Sequence, residues 1–158
     1  MEHSDTFQKT GRELLPPDIV EYFQEFRSVD YINVLRKRLS EYTFAEWMVC
    51  LQERVLLEQC VPFFIEILDK NPLHPGYFEK GYVLCAVTLI DKIFWDDHKD
   101  WYLRVKSIVD GVLDSCENKA DSVPDSSENN VDSVPDLRKN KADSGVIRGE
   151  YIEAYRNF

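Results

Sequence analysis

The chain has 158 residues, of which 19 are basic and 29 acidic, so its formal net charge is −10. This length fits a single domain with one hydrophobic core. A negative field of this size repels nucleic acids and anionic membranes, so we expect neither as a direct partner, whereas it speeds encounter with basic proteins.

The first 15 residues are polar and show no apolar periodicity, so we expect a flexible N-terminus at 1–15. Pro16 and Pro17 suit the first turn of a helix, where a missing N–H costs nothing. Apolar residues three and four apart then predict an amphipathic helix around Ile19 and Phe23, and a second one from Tyr31 to Leu39.

Thr43 and Glu46 have the spacing of a capping box, in which each side chain bonds the backbone N–H of the other residue. Tyr42 and Trp47 flank it at the positions of a hydrophobic staple. A helix is therefore predicted to begin here and to continue to Lys70, with a kink or split at Pro62.

Residues 71–76 are dense in helix breakers and predict a connection. From Tyr77 to about Trp95 apolar residues occur on nearly every face of the predicted helix, which is typical of a central helix covered by neighbouring helices. Gly81 within it suggests close approach of another helix. Asp97 can cap a fifth helix that carries a set of apolar side chains into the core: Leu103, Val105, Ile108, Val109, Val112 and Leu113.

An 11-residue unit is then written three times in tandem, as SCENKADSVPD, SSENNVDSVPD and the degraded LRKNKADSGVI. Such a polar insert buries too little apolar surface to offset its ordering entropy. We therefore predict a helical domain at 16–114, a low-complexity linker at 115–144 and a helix at 145–158 that docks on the domain. Residues 115–144 hold 7 acidic and 4 basic side chains, so the body still carries −7.

The four cysteines, at positions 50, 60, 85 and 116, lack C-x-x-C spacing, and three of them lie in apolar helical runs. This indicates buried thiols in a reducing compartment. No apolar run approaches 18 residues and the N-terminus lacks a signal-peptide pattern, so we expect a cytoplasmic protein.

The densest polar cluster is FWDDHKDWY, residues 94–102. Asp96, Asp97, Asp100 and His98 could hold a divalent cation. The same acids at a helix N-terminus would also meet the positive end of the helix dipole, a structural role that the pattern favours over the metal site. A third interpretation is a partner-binding patch, because Trp95 and Trp101 beside carboxylates provide aromatic anchors and charge.

Motifs of nucleophilic catalysis, phosphate binding and zinc proteases do not occur in the sequence. We therefore predict that the chain is not an enzyme and uses no cofactor. The helical periodicities predict an all-α fold, an antiparallel bundle of about five helices plus the C-terminal one, with a short helical solenoid as the competing architecture.

The stretch PLHPGYFEKGYVLCAVTLIDKIFWDDHKDWYLRVKSIVDGVL, Pro72 to Leu113, resembles the helical cores of small bacterial immunity proteins that accompany contact-dependent or polymorphic toxin systems. The resemblance implies a cytosolic protein that inhibits a cognate toxin, often a nuclease, by covering its active site. On that hypothesis the partner-binding residues are Glu79, Trp95, Asp96, Asp97, Asp100 and Trp101. A small acidic helical chaperone or adaptor is the alternative function, and an enzyme of unfamiliar type is the least favoured.

Overall fold

The computed structural model describes residues 3–26, 29–120 and 147–158, and the regular elements in these ranges are helices. The all-α prediction is confirmed. The elements are α1 (His3–Thr6), α2 (Gly11–Leu14), α3 (Pro17–Phe26), α4 (Val29–Arg36), a 3-10 turn (Leu39–Glu41), α5 (Phe44–Glu53), α6 (Leu57–Lys70), α7 (Tyr82–Thr88), α8 (Lys92–Asp97), α9 (Lys99–Ala120) and α10 (Gly149–Arg156). Several are shorter than the predicted helices, and the antiparallel bundle stays a prediction.

The core is built around α6, which contacts α5, α7 and α9. Its inward side chains recur three and four residues apart and are 0–1% exposed: Cys60, Val61, Phe64, Ile65 and Leu68. Full burial of one large apolar side chain contributes roughly 1.5–3 kcal/mol. The periodicity of α6 is therefore what fixes the centre of the fold.

The segment predicted to be flexible, residues 1–15, contains two short helices and is hydrogen-bonded to a distant part of the chain. The N–H of Leu39 donates to the carbonyl of Lys9 at 3.0 Å, and the N–H of Ser40 donates to that of Phe7 at 2.9 Å. Gly11, the first residue of α2, is buried against Leu35, Tyr42 and Leu56. These bonds join residues about 30 positions apart, so the local pattern on which the prediction was based gave no sign of them.

The start of α5 is the capping box that the sequence predicts. The hydroxyl oxygen of Thr43 accepts the N–H of Glu46 at 3.4 Å, and the Glu46 carboxylate accepts the N–H of Thr43 at 2.8 Å. The rings of Tyr42 and Trp47 lie 4.9 Å apart, so the hydrophobic staple is present too.

The long helix predicted from Thr43 to Lys70 ends earlier than expected, at Glu53. A split at Pro62 is wrong, because α6 continues through this residue, whereas a kink there stays a prediction. Arg54 and Leu56 have left-handed backbones, with φ of 60° and 53°. The N–H of Val55 donates to the Cys50 carbonyl at 3.0 Å, as in a Schellman ending. Pro62 lies in the second turn of α6, where its missing N–H deprives only a first-turn carbonyl of its partner.

The helix predicted from Tyr77 to Trp95 is also divided, into α7 and α8. The Thr88 hydroxyl donates to the Cys85 carbonyl at 2.9 Å in the last turn of α7, and Asp91 is extended before α8 begins. Gly81 precedes α7 with φ +88°. The apolar pattern is continuous across this break, which is why periodicity alone missed it.

The helix α9 begins at Lys99, two residues after the predicted cap at Asp97, and runs to Ala120. The first residues of the predicted linker are therefore helical, and residues 121–146 lie outside the described part. Val105, Val109 and Val112 are buried as predicted, but Leu103 is 64% exposed, because it lies on the outer side of α9.

The last helix, α10, packs on α7 and α9. Tyr155 is 1% exposed, and its hydroxyl donates to the Gly81 carbonyl at 2.7 Å. The Tyr102 hydroxyl donates to the Phe158 carbonyl at 3.1 Å. Gly81 thus permits the close helix approach that the sequence indicated, as a cap rather than as an interior residue: a Cβ there would lie 2.6 Å from the Tyr155 oxygen.

Candidate functional site

The corner between α8 and α9 brings together five of the six residues predicted to bind a partner: Trp95, Asp96, Asp97, Asp100 and Trp101. His98 separates the two helices, and its carbonyl accepts the N–H of Tyr102 at 3.0 Å, which starts α9. The sixth residue, Glu79, lies before α7 and ion-pairs with Arg148 at the start of α10. We call the surface formed by Asp96, Asp97, Asp100 and Trp101 the acidic corner.

The carboxylate of Asp96 is neutralised locally by two lysines. Lys92 reaches one oxygen at 2.6 Å from the preceding turn, and Lys99 reaches the other at 2.5 Å from the start of α9. The hydrogen bonds from Lys92 and Lys99 lower the pKa of Asp96 to about 2. Asp96 is therefore ionised across the physiological range.

The carboxylates of Asp97 and Asp100 are exposed, and neither has an ion-pair partner among the described residues. Each has an exposed apolar side chain one helical turn away. Ile93 is 79% exposed and four residues before Asp97, and Leu103 is 64% exposed and three residues after Asp100. The acidic corner therefore combines unneutralised charge with accessible apolar surface.

Three rings support the corner from one side. His98 stacks between Phe94, at 4.3 Å between ring centroids, and Trp101, at 4.5 Å with an angle of 11° between the planes. The Nδ1 atom of His98 lies 2.8 Å from the Phe94 carbonyl oxygen. Trp101 is half-buried, so its ring is held in place while part of it still faces solvent.

Trp95 is 4% exposed and faces the interior. Its ring centroid lies 6.2 Å from that of Tyr102 and 5.5 Å from that of Phe158, the last residue of the chain. Its role is therefore to hold α8 against α9 and residue 158, and the outer surface of the corner is formed by its neighbours.

A cleft of about 440 Å³ opens beside Asp96, between the end of α7, the corner and the last two residues. Its lining combines apolar and polar side chains: Thr88, Ile90, Lys92, Trp95, Asp96, Lys99, Tyr102, Asn157 and Phe158. The indole N–H of Trp95 is buried and has no acceptor in the described part of the chain. This cleft was not predicted, because residues 157 and 158 come to it from the far end of the sequence.

The divalent-cation alternative is not supported by the geometry. Within the described ranges, no group of three or more His, Cys, Asp or Glu side chains is placed to hold a metal ion. The Asp96 oxygens face lysines instead. The signal for the Lys92 and Lys99 pairs was present in the sequence, since oppositely charged residues three and four apart meet on a helix.

The buried thiols are where the sequence predicts them. Cys50 and Cys60 are 0% exposed and Cys85 is 8% exposed, whereas Cys116 is half-buried. Desolvation raises the pKa of the Cys50 thiol to about 12 and also raises the pKa of Cys85. These thiols are protonated and inert, and they belong to the core.

Comparison with known proteins matches residues 16–105 to a family of CDI immunity proteins. The chain belongs to this family of contact-dependent inhibition immunity proteins. The matched range contains the whole acidic corner and Glu79, whereas α10 lies beyond it. Neither the curated proteins nor the solved structures contain a significant match to this immunity protein. Of the helices described, none is both long and apolar enough to cross a bilayer.

Proposed function

We propose that this immunity protein binds a cognate toxin domain, a nuclease with a basic active site, and covers that site with the acidic corner. Family membership supports toxin neutralisation. The observation that carries the choice of surface is the pair of exposed carboxylates, Asp97 and Asp100, without an ion-pair partner among the described residues and flanked by the exposed Ile93 and Leu103.

The charge of the chain supports a basic partner. A net charge of −10 attracts a nuclease cleft lined by lysine and arginine, and carboxylates can occupy the positions that phosphates take in such a cleft. Unlike Asp96, which already has two lysines beside it, Asp97 and Asp100 lose no local ion pair when they meet a cation of the toxin. They are therefore the carboxylates that gain most from binding.

Trp101 is the proposed aromatic anchor of the interface. Its ring is preorganised by the stack on His98, so little conformational entropy is lost when a partner covers it. Glu79 is proposed as an outlying contact, and Trp95 as the residue that positions the corner from beneath.

The test is a titration of the cognate toxin domain with the 158-residue immunity protein, with cleavage of a nucleic-acid substrate as the readout. We expect activity to fall linearly to zero at about one equivalent, as for a tight stoichiometric inhibitor. Full nuclease activity in the presence of excess protein would refute the proposal.

One observation favours the alternative, a chaperone or adaptor. A groove of about 710 Å³ runs between α9 and α10 and is lined mainly by apolar side chains: Leu73, Ile108, Val112, Ile147 and Ile152 among them. A chaperone would hold an unfolded segment in such a groove. The activity of the folded toxin distinguishes the two functions, because a chaperone binds the unfolded toxin and leaves the folded toxin active, whereas an inhibitor abolishes that activity.

A further inference from the structure

Two neighbouring aromatic side chains project from the connection between α6 and α7. Tyr77 is 64% exposed and Phe78 is 60% exposed, and they are the one pair of sequence neighbours among the exposed large apolar side chains of the described residues. Side chains of this size usually lose most of their exposed area on folding, and adjacent exposed rings are typical of surfaces that bind another protein. We call residues 74–80 the aromatic loop.

The backbone of the aromatic loop is held in one conformation by hydrogen bonds within it. The Nδ1 atom of His74 accepts the N–H of Gly76 at 3.0 Å, and the N–H of Phe78 donates to the Pro75 carbonyl at 3.1 Å. Gly76 has φ +61°, a conformation that glycine adopts without steric cost. The loop therefore presents Tyr77 and Phe78 on an ordered backbone.

Each exposed ring is also supported on one side. The centroid of the Tyr77 ring lies 5.4 Å from that of Phe44, and the centroid of the Phe78 ring lies 4.4 Å from that of Tyr82. The Tyr82 hydroxyl in turn accepts the side-chain N–H of Gln52 at 2.9 Å. A partner that covers the outer faces of both rings therefore finds them already positioned, and binding loses little side-chain entropy.

The charges beside the rings indicate the chemistry of the surface that the loop fits. Glu79 is ion-paired with Arg148, so its charge is neutralised within the protein. Lys80 is exposed and has no ion-pair partner among the described residues. The complementary surface is therefore an apolar pocket with an acidic group at its rim, close to Lys80.

Two observations favour a toxin over a second copy of this chain as the protein that covers the loop. Two copies with a net charge of −10 each repel one another, whereas a basic toxin is attracted. Tyr77 and Phe78 also lie within residues 16–105, the part of the chain that matches the immunity family, and toxin binding is what membership of that family implies.

We propose that Tyr77 and Phe78 are hydrophobic anchors that enter an apolar pocket of the toxin outside its basic active site, with Lys80 beside an acidic group at the rim of that pocket. This inference rests on the proposed function, because its partner is the same toxin. The two surfaces have different effects on binding. The acidic corner speeds association and covers the active site, whereas the aromatic loop slows dissociation and selects toxins that have the pocket.

The test is the kinetics of toxin binding to the immobilised immunity protein. Tyr77→Ala and Phe78→Ala should each raise the dissociation rate constant by about 10-fold or more, because truncation of an aromatic anchor removes a large part of the binding energy. Their association rate constants should stay within about 2-fold of the wild-type value, because no charge changes. The matched control is Tyr22→Ala, since Tyr22 is an aromatic residue of α3 that is 47% exposed; both of its rate constants should change by less than about 2-fold.

Further variants separate loss of the anchor from loss of the fold. Tyr77→Phe keeps the ring and should restore the dissociation rate constant to within about 3-fold of the wild-type value. Each ring is more than half exposed, so the alanine variants should keep the helical circular dichroism of the wild type. If one of them loses it, Tyr77→Gln or Phe78→Gln replaces it in the test, because glutamine keeps a long side chain over Phe44 or Tyr82 and removes the ring.

Failure of this inference can be told apart from failure of the proposed function. If the wild-type protein does not bind the toxin, both fail. If it binds, and both aromatic variants dissociate no faster than Tyr22→Ala, only the role of the aromatic loop is overturned. A free wild-type protein that sediments as a dimer and becomes monomeric in Phe78→Ala, with unchanged toxin dissociation, would assign the loop to a second copy and overturn the proposal as well.

Discussion

We predict that the contact between Gly81 and Tyr155 is needed to hold α10 against the rest of the fold. Gly81 has φ +88°, and its carbonyl accepts the buried Tyr155 hydroxyl at 2.7 Å. In Gly81→Ala the new Cβ would lie 2.6 Å from the Tyr155 oxygen, far inside van der Waals contact. Tyr155 is 1% exposed, so its ring cannot swing into solvent without pulling α10 away from α7.

The expected loss of unfolding free energy in Gly81→Ala is the sum of two separate costs. Alanine in a left-handed conformation costs roughly 1–2 kcal/mol. The displaced Tyr155 hydroxyl loses its acceptor inside the protein, which costs roughly 1–3 kcal/mol. We therefore expect Gly81→Ala to lower the free energy of unfolding by about 3 kcal/mol. In a Tyr155→Phe background the hydroxyl is already absent, so only the backbone cost of roughly 1–2 kcal/mol should remain.

The assay is urea denaturation of the wild type, the two single variants and the double variant, followed by helical circular dichroism. Gly111→Ala is the control, because a Cβ there has nothing within 4 Å and Gly111 lies inside α9. It should stabilise the protein by up to about 1 kcal/mol through helix propensity. Equal effects of Gly81→Ala in the wild-type and Tyr155→Phe backgrounds would refute the role assigned to this contact.

Three further predictions concern the cap, the thiols and the pH dependence. Thr43→Ala removes the oxygen that accepts the Glu46 N–H and should cost about 1 kcal/mol of unfolding free energy in urea, whereas Thr43→Ser should restore most of it. A thiol reagent added to the native protein should label Cys116 first, and all four cysteines should react only in denaturant; rapid native labelling of Cys50 would contradict its burial. Because the pKa of Asp96 is lowered to about 2 in the folded protein, its ion pairs stabilise the fold above the unfolded pKa near 3.8 and lose this effect as the pH falls towards 2. The melting temperature of Asp96→Asn should therefore fall less steeply than that of the wild type between pH 5 and 2.

The features that the sequence predicted in detail depend on neighbouring residues. The capping box at Thr43 and Glu46 and the staple beside it need only a spacing of three to five residues, and the structure has both. The buried valines of α9 follow in the same way from a three- and four-residue repeat. Such signals are complete within one or two helical turns.

The helix breaks were missed because the residues that make them carry weak local signals. Arg54 and Leu56 adopt left-handed backbones without glycine, and the chain turns there because α5 and α6 must both pack on the core. Thr88 and Asp91 were the available signs of the second break, since residues of these two types compete with the helix for backbone hydrogen bonds. The Thr88 hydroxyl does so by donating to the Cys85 carbonyl, whereas the Asp91 side chain makes no capping bond. A continuous apolar pattern outweighed them in the prediction.

The candidate site was predicted as a cluster but without its geometry. The positions of Asp96, Asp97, Asp100 and Trp101 at a helix boundary follow from the sequence, and the structure places them at one corner. The burial of Trp95 could not be predicted from the sequence, because Phe158, which covers it, lies 63 positions later in the chain. The cleft beside Asp96 is likewise a consequence of how α10 and the final residues pack.

The most direct test of the proposed interface is the affinity of the toxin domain for two charge-matched double variants. Asp97→Asn with Asp100→Asn removes the two exposed charges of the acidic corner, and Glu21→Gln with Glu25→Gln removes two exposed charges from α3. We expect the first pair to weaken binding by about 10-fold or more and the second by less than about 2-fold at physiological ionic strength. Equal losses in the two double variants, or no loss in the first, would contradict the assignment of toxin binding to the acidic corner.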